Sequence, residues 1–242
     1  MTKNEQLKQA DLYKEQMANL KLSQEQKEIF FKQEAVQDIY SSCCMDNQIV
    51  SKEEIEKKID QAIHKQIKRE EDRSYIAGYA VAYDYIKEMA EKRTFEITEE
   101  MVKKVAAYLD EANQTGYRTD KIKPLETHTP PAPEELDHFM GHFIGQMQMS
   151  KKMFHPIEFA ALVHKRIMDI RPFKEKNREI AMLITNFIFQ SEGYPMIWIP
   201  DEMKQRYEDI LKKAQHPSSP QIDDWLSFIA ERVVASSQRY IK

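Results

Sequence analysis

The most informative segment of this sequence is Ile170-Arg171-Pro172-Phe173-Lys174-Glu175-Lys176-Asn177-Arg178-Glu179, in which cations and carboxylates stand among proline, phenylalanine and asparagine. Apolar residues at helical spacing lie on both sides of it. One helix is expected to end near Ile170, and the next to run from about Asn177 to Ser191. The segment is therefore predicted to be a loop between two helices. Its cations form either a solvated basic loop or an anion site built from side chains.

Short motifs flank this loop on both sides. Upstream lies His155-Pro156-Ile157-Glu158-Phe159-Ala160-Ala161-Leu162-Val163-His164, and downstream lie Leu183-Ile184-Thr185-Asn186 and Gly193-Tyr194-Pro195. Earlier in the chain, Gly116-Tyr117-Arg118-Thr119 precedes the proline run Pro130-Pro131-Ala132-Pro133. In order and spacing, the loop and these motifs resemble the Fic (Fido) family. The resemblance covers roughly residues 28–214.

The loop itself departs from the family signature, which is His-Pro-Phe-x-Asp/Glu-Gly-Asn-Gly-Arg-x-x-Arg. Four of its nine specified positions match: Pro172, Phe173, Glu175 and Asn177. The other five differ, with Arg171 for the His, Lys176 and Arg178 for the two Gly, and Glu179 and Met182 for the two Arg. Because both flanking motifs align in register, no insertion or deletion can supply the missing residues.

The resemblance implies an all-α fold, a Fic-type helical bundle with a short β-hairpin flap at about 117–129. Residues 1–95 would form an N-terminal helical region packed on the core, and residues 96–242 would form the Fic core with loop 171–179 and the C-terminal helices. The composition agrees with this fold class, since the chain has few glycines and long stretches rich in Glu, Lys and Gln. Residues 5–41 show helical spacing.

The resemblance also implies the chemistry that the loop would perform. Family members commonly transfer AMP from ATP to a hydroxyl side chain of a target protein: the His takes the hydroxyl proton, the acidic residue holds Mg²⁺, and the Gly-Asn-Gly turn cradles phosphate. Arg171 cannot act as the base, because a guanidinium keeps its proton at neutral pH. Lys176 and Arg178 put long side chains where the cradle needs open backbone. Glu179 would repel phosphate, and Met182 carries no charge.

A second family motif, Ser/Thr-x-x-x-Glu-Gly/Asn, marks an inhibitory helix whose Glu pairs with the second signature Arg. The segment Ser42-Cys43-Cys44-Met45-Asp46-Asn47 resembles it, with Asp46 in place of the Glu. The pairing position is Met182, so Asp46 is expected beside the loop, where it reaches water or pairs with Arg171 or Arg178. The alternative is a polar break after a helix.

Several other residues are candidates for a site. Glu175 is compatible with Mg²⁺, although one carboxylate binds Mg²⁺ weakly without substrate phosphates, and it could instead pair with Lys176 or Arg178. Tyr117 and Arg118 in the flap could guide a target peptide by strand addition. His138 and His142 have the spacing of a metal pair on a helix, but solvated or packed histidines are more common. His164 is expected to be a satisfied histidine, or else a substitute base.

Composition bounds the remaining possibilities. The net charge is −4, which gives no general reason to bind nucleic acid or anionic lipid. The two cysteines, Cys43 and Cys44, are adjacent, too close for an ordinary structural disulfide. No signal peptide or membrane-spanning run is evident at the sequence level, so a cytoplasmic protein is expected.

These observations favour a Fic-fold pseudoenzyme that does not transfer nucleotides and instead binds a protein, through flap and cleft, or a phosphate-bearing ligand, through Glu175, Lys176, Asn177 and Arg178. ATP and Mg²⁺ would be needed only if activity or nucleotide binding is retained. The alternatives are an active transferase of altered chemistry, acting on hydroxyl side chains of a target, and a structural or antitoxin-like partner. The sequence does not indicate the oligomeric state.

Overall fold

A computed structural model describes residues 1–92, 96–112, 116–218 and 220–241. Within these residues the chain is helical and has no strand, so the predicted all-α class is confirmed. The α-helices are α1 (Lys3–Asn19), α2 (Gln24–Met45), α3 (Lys52–Ile63), α4 (Tyr75–Glu91), α5 (Glu99–Leu109), α6 (Leu136–Ser150), α7 (Pro156–Ile170), α8 (Asn177–Ser191), α9 (Lys204–Ala214) and α10 (Ile222–Ile241). Short 3₁₀ turns at Pro133–Glu135 and Asp201–Met203 precede α6 and α9.

Helix α8 is the centre of the fold. Every residue from Glu179 to Phe189 is buried, as expected for a helix that is surrounded by others. Helices α7 and α4 pack against α8, and α10 packs against α1 and α7. The α7–α8 loop therefore lies at the N-terminal end of a largely buried helix.

The helical segment 5–41 is divided into two helices. Helix α1 ends at Asn19, Lys21 adopts a left-handed conformation with φ 46°, and α2 begins after Ser23. Ser23 Oγ accepts a hydrogen bond from Gln26 N–H at 3.1 Å, and Gln26 Oε1 accepts one from Ser23 N–H at 2.9 Å. This capping box starts a new helix where the apolar spacing alone gives no break.

The predicted β-hairpin flap at 117–129 is not seen. One backbone hydrogen bond connects two residues of this segment, from Leu125 N–H to His128 O at 2.9 Å. The N–H of Arg118 donates instead to Pro172 O at 2.9 Å, which fastens the segment to the α7–α8 loop rather than to a second strand. A strand pair needs a ladder of such bonds, so this segment takes an irregular course.

The predicted boundary between the two regions follows residue 95. It therefore falls at the edge of residues 93–95, which lie outside the described residues. Helices of the N-terminal region pack on helices of the other: α1 has its most extensive packing with α10, and α4 packs along α8. None of the described helices is long and apolar enough to cross a membrane.

Candidate functional site at the α7–α8 loop

Two left-handed residues give the α7–α8 loop its shape. Arg171 ends α7 with φ 46° and ψ 62°, and Lys176 precedes α8 with φ 61° and ψ 21°. Residues with a Cβ pay about 1–2 kcal/mol for this conformation, so surrounding contacts must impose it. The backbone of the loop therefore keeps a tight turn even though glycine is absent from it.

Asn177 supplies one of those contacts. Its Oδ1 accepts a hydrogen bond from Phe173 N–H at 3.0 Å, and its Nδ2 donates to Phe173 O at 2.8 Å. The Phe173 ring is buried and lies 5.5 Å from the Tyr117 ring, centroid to centroid. Asn177 thus holds the loop closed through its side chain, and Phe173 anchors the loop to the segment after α5.

Arg118 braces the loop from the other side. It is only 5% exposed. Its Nε donates to Arg171 O at 2.8 Å and its Nη1 to Asp120 O at 2.9 Å, while Nη2 donates to Pro131 O. A buried guanidinium needs such acceptors, and here they are backbone carbonyls of the loop and of the flap segment. Arg118 therefore joins the two segments with three of its five N–H donors.

Arg171 occupies the signature position of the catalytic base. Its side chain is half-buried, its Nε has no hydrogen-bond partner, and it forms no salt bridge within the described part of the chain. Burial lowers the pKa of its guanidinium from the ordinary value, and the nearby Tyr207 hydroxyl opposes that effect. A guanidinium still holds its proton at neutral pH, so Arg171 cannot remove one from a hydroxyl group.

His164 is the histidine that could have replaced the base. It is fully buried, with Nδ1 3.2 Å from Thr185 Oγ1 and Nε2 2.9 Å from Tyr207 Oη. Burial, together with the charge of Arg178, lowers the pKa of His164 to about 3. The ring is therefore neutral and closed off from any substrate, and it serves as a core hydrogen-bonding group.

Asp46 lies beside the loop, and this placement was predicted. Its Oδ1 is 2.9 Å from Arg178 Nη2, and its Oδ2 is 3.1 Å from Lys176 Nζ. Arg178 Nη2 is also 3.0 Å from Glu179 Oε1 and 3.1 Å from Ser42 Oγ. These residues join the C-terminus of α2 to the N-terminus of α8, and we call them the loop cluster: Ser42, Asp46, Lys176, Arg178 and Glu179.

The loop cluster balances its own charges. Burial raises the pKa of Asp46, but the charge of Arg178 and the hydrogen bond from Lys176 outweigh it and hold that pKa below its ordinary value. Burial alone would lower the pKa of Arg178, yet Glu179 and Asp46 raise it above normal. Two cations thus face two carboxylates, and little positive charge remains for a bound anion.

Tyr75 completes the cluster, although no sequence motif marks it. Its hydroxyl lies 3.1 Å from Ser42 Oγ and donates to Glu179 Oε1 at 3.4 Å, and the Lys176 ammonium lies 4.2 Å from its ring centroid. Tyr75 begins α4, so three helices meet here. Met182, at the family's inhibitory-pair position, is 3% exposed and belongs to the apolar core. The carboxylate of Asp46 pairs one turn earlier on α8.

Residues 89–189 match the model of the Fic/DOC family. The segment that contains the α7–α8 loop is therefore similar to the Fic/DOC family. Over 218 residues the chain is 24% identical to the "Protein adenylyltransferase Fic" of Aedes aegypti. The aligned residues cover 88% of this chain and 42% of that protein. The chain therefore spans less than half the length of this curated relative.

Solved structures share the Fic fold along nearly the whole chain. A Fic-domain-containing signaling protein from Bacteroides thetaiotaomicron superimposes with a TM-score of 0.79 at 22% identity, over 98% of this chain and 97% of that one. IbpAFic2 covalently tethered to Cdc42 superimposes with a TM-score of 0.55 at 17% identity, over 85% of this chain and 62% of that one. At these identities the likeness shows the fold.

Glu175 is not part of the loop cluster. It is exposed, and with Lys174 and Tyr117 it lines a cleft of about 420 Å³ between the loop and the end of α5. No group of three or more metal-ligating side chains occurs among the described residues. His138 and His142 are exposed on α6 with ring centroids 6.3 Å apart. Glu175 therefore belongs to no such group there, and a carboxylate by itself holds Mg²⁺ weakly without substrate phosphates.

Proposed function

We propose that this Fic-fold chain is a protein-binding module that does not transfer nucleotides. The observation that carries the proposal is the pairing of Arg178 with Asp46 at 2.9 Å and with Glu179 at 3.0 Å, which fills the phosphate side of the loop. In the family, that side of the loop receives phosphate on open backbone. Here the side chain of Arg178 occupies it and is already neutralised by carboxylates.

The absence of a usable base supports the same proposal. Arg171 keeps its proton at neutral pH, and His164 is buried with both ring nitrogens within hydrogen-bond distance of Thr185 and Tyr207. Loss of one transition-state donor costs an enzyme about 10²- to 10³-fold in rate, and here the base and the phosphate cradle are altered together. Neither ATP nor Mg²⁺ is then required for function.

A protein partner is favoured over a phosphate ligand because Lys176 and Arg178 have internal counter-charges. Lys176 and Arg178 were the candidates for a side-chain anion site, and both contact Asp46. The covalent tether of IbpAFic2 to Cdc42 supports protein recognition as a use of this fold. The cleft at Glu175 and the flap segment remain accessible for such a partner.

The experiment compares the thermal midpoint of the protein with and without ATP, other nucleotides and Mg²⁺, together with transfer of label from α-labelled ATP to protein. We expect no transfer and no shift, whereas a ligand at about 100 times its Kd would add about 2.7 kcal/mol of stability. Arg178→Ala is the matched variant that opens the loop cluster. Label transfer that is lost in Glu175→Gln would overturn the proposal and establish an altered transferase.

A further inference from the structure

A second cavity lies away from the loop cluster. It is a groove of about 620 Å³ between residues 121–132, α6 and α7. Its size is within the range of known ligand sites. We call it the flap groove, and the side chains that matter for its chemistry are Lys121, His128, Glu135, Phe139, Arg166 and Asp169.

Two cations of the flap groove have no acidic partner. Neither Lys121 nor Arg166 forms a salt bridge with any described residue, and the Arg166 guanidinium instead lies 5.9 Å from the Phe139 ring centroid. A guanidinium on an aromatic face keeps its in-plane N–H donors free for an anion. Lys121 is exposed on the opposite wall, in the flap segment.

Both carboxylates of the groove are already used within the chain. Asp169 Oδ2 is 2.7 Å from Lys165 Nζ, and its Oδ1 accepts from Gln215 Nε2 at 3.0 Å. Glu135 Oε2 accepts from Ala132 N–H at 2.8 Å, where it caps the turn before α6. Asp169 is thus neutralised by Lys165, while the exposed Glu135 caps the turn at the edge of the groove without a cation from the described residues. Lys121 and Arg166 leave two positive charges without a salt bridge to those residues, although the chain as a whole is acidic.

The walls between these charges are largely apolar. Ile122, Pro130, Phe139 and Ile170 all line the groove. Residues 121 and 122 line one wall and have no regular secondary structure. An apolar wall of this kind suits a peptide with apolar side chains better than it suits a sugar-phosphate chain.

We propose that the flap groove binds an extended acidic segment of a partner protein. Aspartate or glutamate side chains of that segment pair with Arg166 and Lys121, and its apolar side chains pack on Phe139 and Ile170. This inference rests on the proposed function, and it adds the chemistry of the partner. The residues of the loop cluster do not line this groove, so the two sites can be varied separately.

The test measures the fluorescence anisotropy of the labelled peptide Thr-Glu-Val-Glu-Thr-Glu-Val-Glu with the intact chain, beside a peptide with Gln at each Glu position. We expect binding of the acidic peptide that weakens with added salt, and at least tenfold weaker binding of the Gln peptide. Arg166→Gln and Lys121→Gln should each weaken the acidic peptide about tenfold, the value of one charge-assisted hydrogen bond. Lys57→Gln, which removes an exposed charge on α3, is the matched control and should leave binding unchanged.

Several results would overturn the inference. They are failure of the acidic peptide to bind, equal binding of the Gln peptide, and equal loss in Lys57→Gln and Arg166→Gln. Thermal unfolding of the three variants shows whether folding is intact. Their free energies of unfolding are expected to lie within about 0.5 kcal/mol of the parent, as for surface changes. Label transfer from ATP would refute the absence of catalysis but not the groove, so the two proposals fail by different readouts.

Discussion

At the scale of single residues, the α7–α8 loop shows how one backbone shape can be kept by different side chains. Arg171 and Lys176 hold left-handed conformations at φ 46° and 61°, which glycine would adopt without strain. The conformation persists because Asn177 and Arg118 bond to the carbonyls and amides around it. Asn177, which matches the family signature, therefore stabilises the loop whether or not phosphate binds.

This assignment predicts the effect of Asn177→Ala. The change leaves the N–H and C=O of buried Phe173 without partners, so the free energy of unfolding should fall by about 1–3 kcal/mol. Urea denaturation of both proteins measures the difference. Lys174→Ala, an exposed change in the same loop, should stay within about 0.5 kcal/mol of the parent. Equal losses in the two variants would refute the role of the Asn177 side chain in holding the loop closed.

At the scale of helices, the loop cluster connects α2, α4 and α8 through charged and hydroxyl groups. Glu179 is the most buried charged member, at 3% exposure, and Arg178 is its nearest cation. Lys176 lies farther away, at 3.8 Å from the same oxygen. Removing a partner from a buried ion pair is more harmful than replacing the pair, because it leaves a desolvated charge behind.

Arg178→Ala should therefore lower the free energy of unfolding by about 3 kcal/mol. Adding Glu179→Gln in that background removes the stranded charge and should restore a large part of the loss. Denaturant unfolding of the parent, both single variants and the double variant gives the coupling energy of the pair. Strictly additive effects would mean that the contact between Arg178 and Glu179 contributes no coupling.

The helices differ in how far their sequence determined them. Helices α7 and α8 carry long apolar stripes, so the loop between them could be placed from spacing alone. The break at 20–23 could not, since it depends on a left-handed Lys21 and on the capping box of Ser23. The position of Asp46 followed from a short motif. Its neighbour Tyr75 did not, because its contact with Ser42 spans 33 residues and arises from the packing of α2 on α4.

At the scale of the whole molecule, acidic side chains of α2 lie buried against other helices. Asp38 accepts hydrogen bonds from Tyr79 and Tyr83, and burial raises its pKa to about 6 despite them. Glu34 is fully enclosed near Met196 and Tyr240, and burial raises its pKa to about 8 although Tyr240, Met196 N–H and Arg239 oppose the shift. Helix α2 is thus joined to α10 and to the segment after α8 by a carboxyl group that is protonated at neutral pH.

The protonated Glu34 should for this reason make global stability fall as the pH rises from about 4.5 to 8, while the neutral His164, whose pKa is lowered, opposes this fall below about pH 6.5. Glu34 loses its proton near its ordinary pKa when the chain is unfolded, but keeps it to about pH 8 when folded. The folded state then binds more protons than the unfolded state, so each pH unit lowers the free energy of unfolding by up to about 1.4 kcal/mol. Asp38 adds to this fall between about pH 4 and 6.

Glu34→Gln isolates this contribution between pH 7 and 8, where Asp38 and His164 have largely lost their protons in both states. The amide of the variant still accepts from Met196 N–H and cannot ionise, so its stability should change little in that range while the parent loses stability. Urea denaturation at half-unit pH steps measures both slopes. Glu15→Gln, an exposed change on α1, should run parallel to the parent. If Glu34→Gln also runs parallel to it, Glu34 is ionised in the folded protein and the buried proton is refuted.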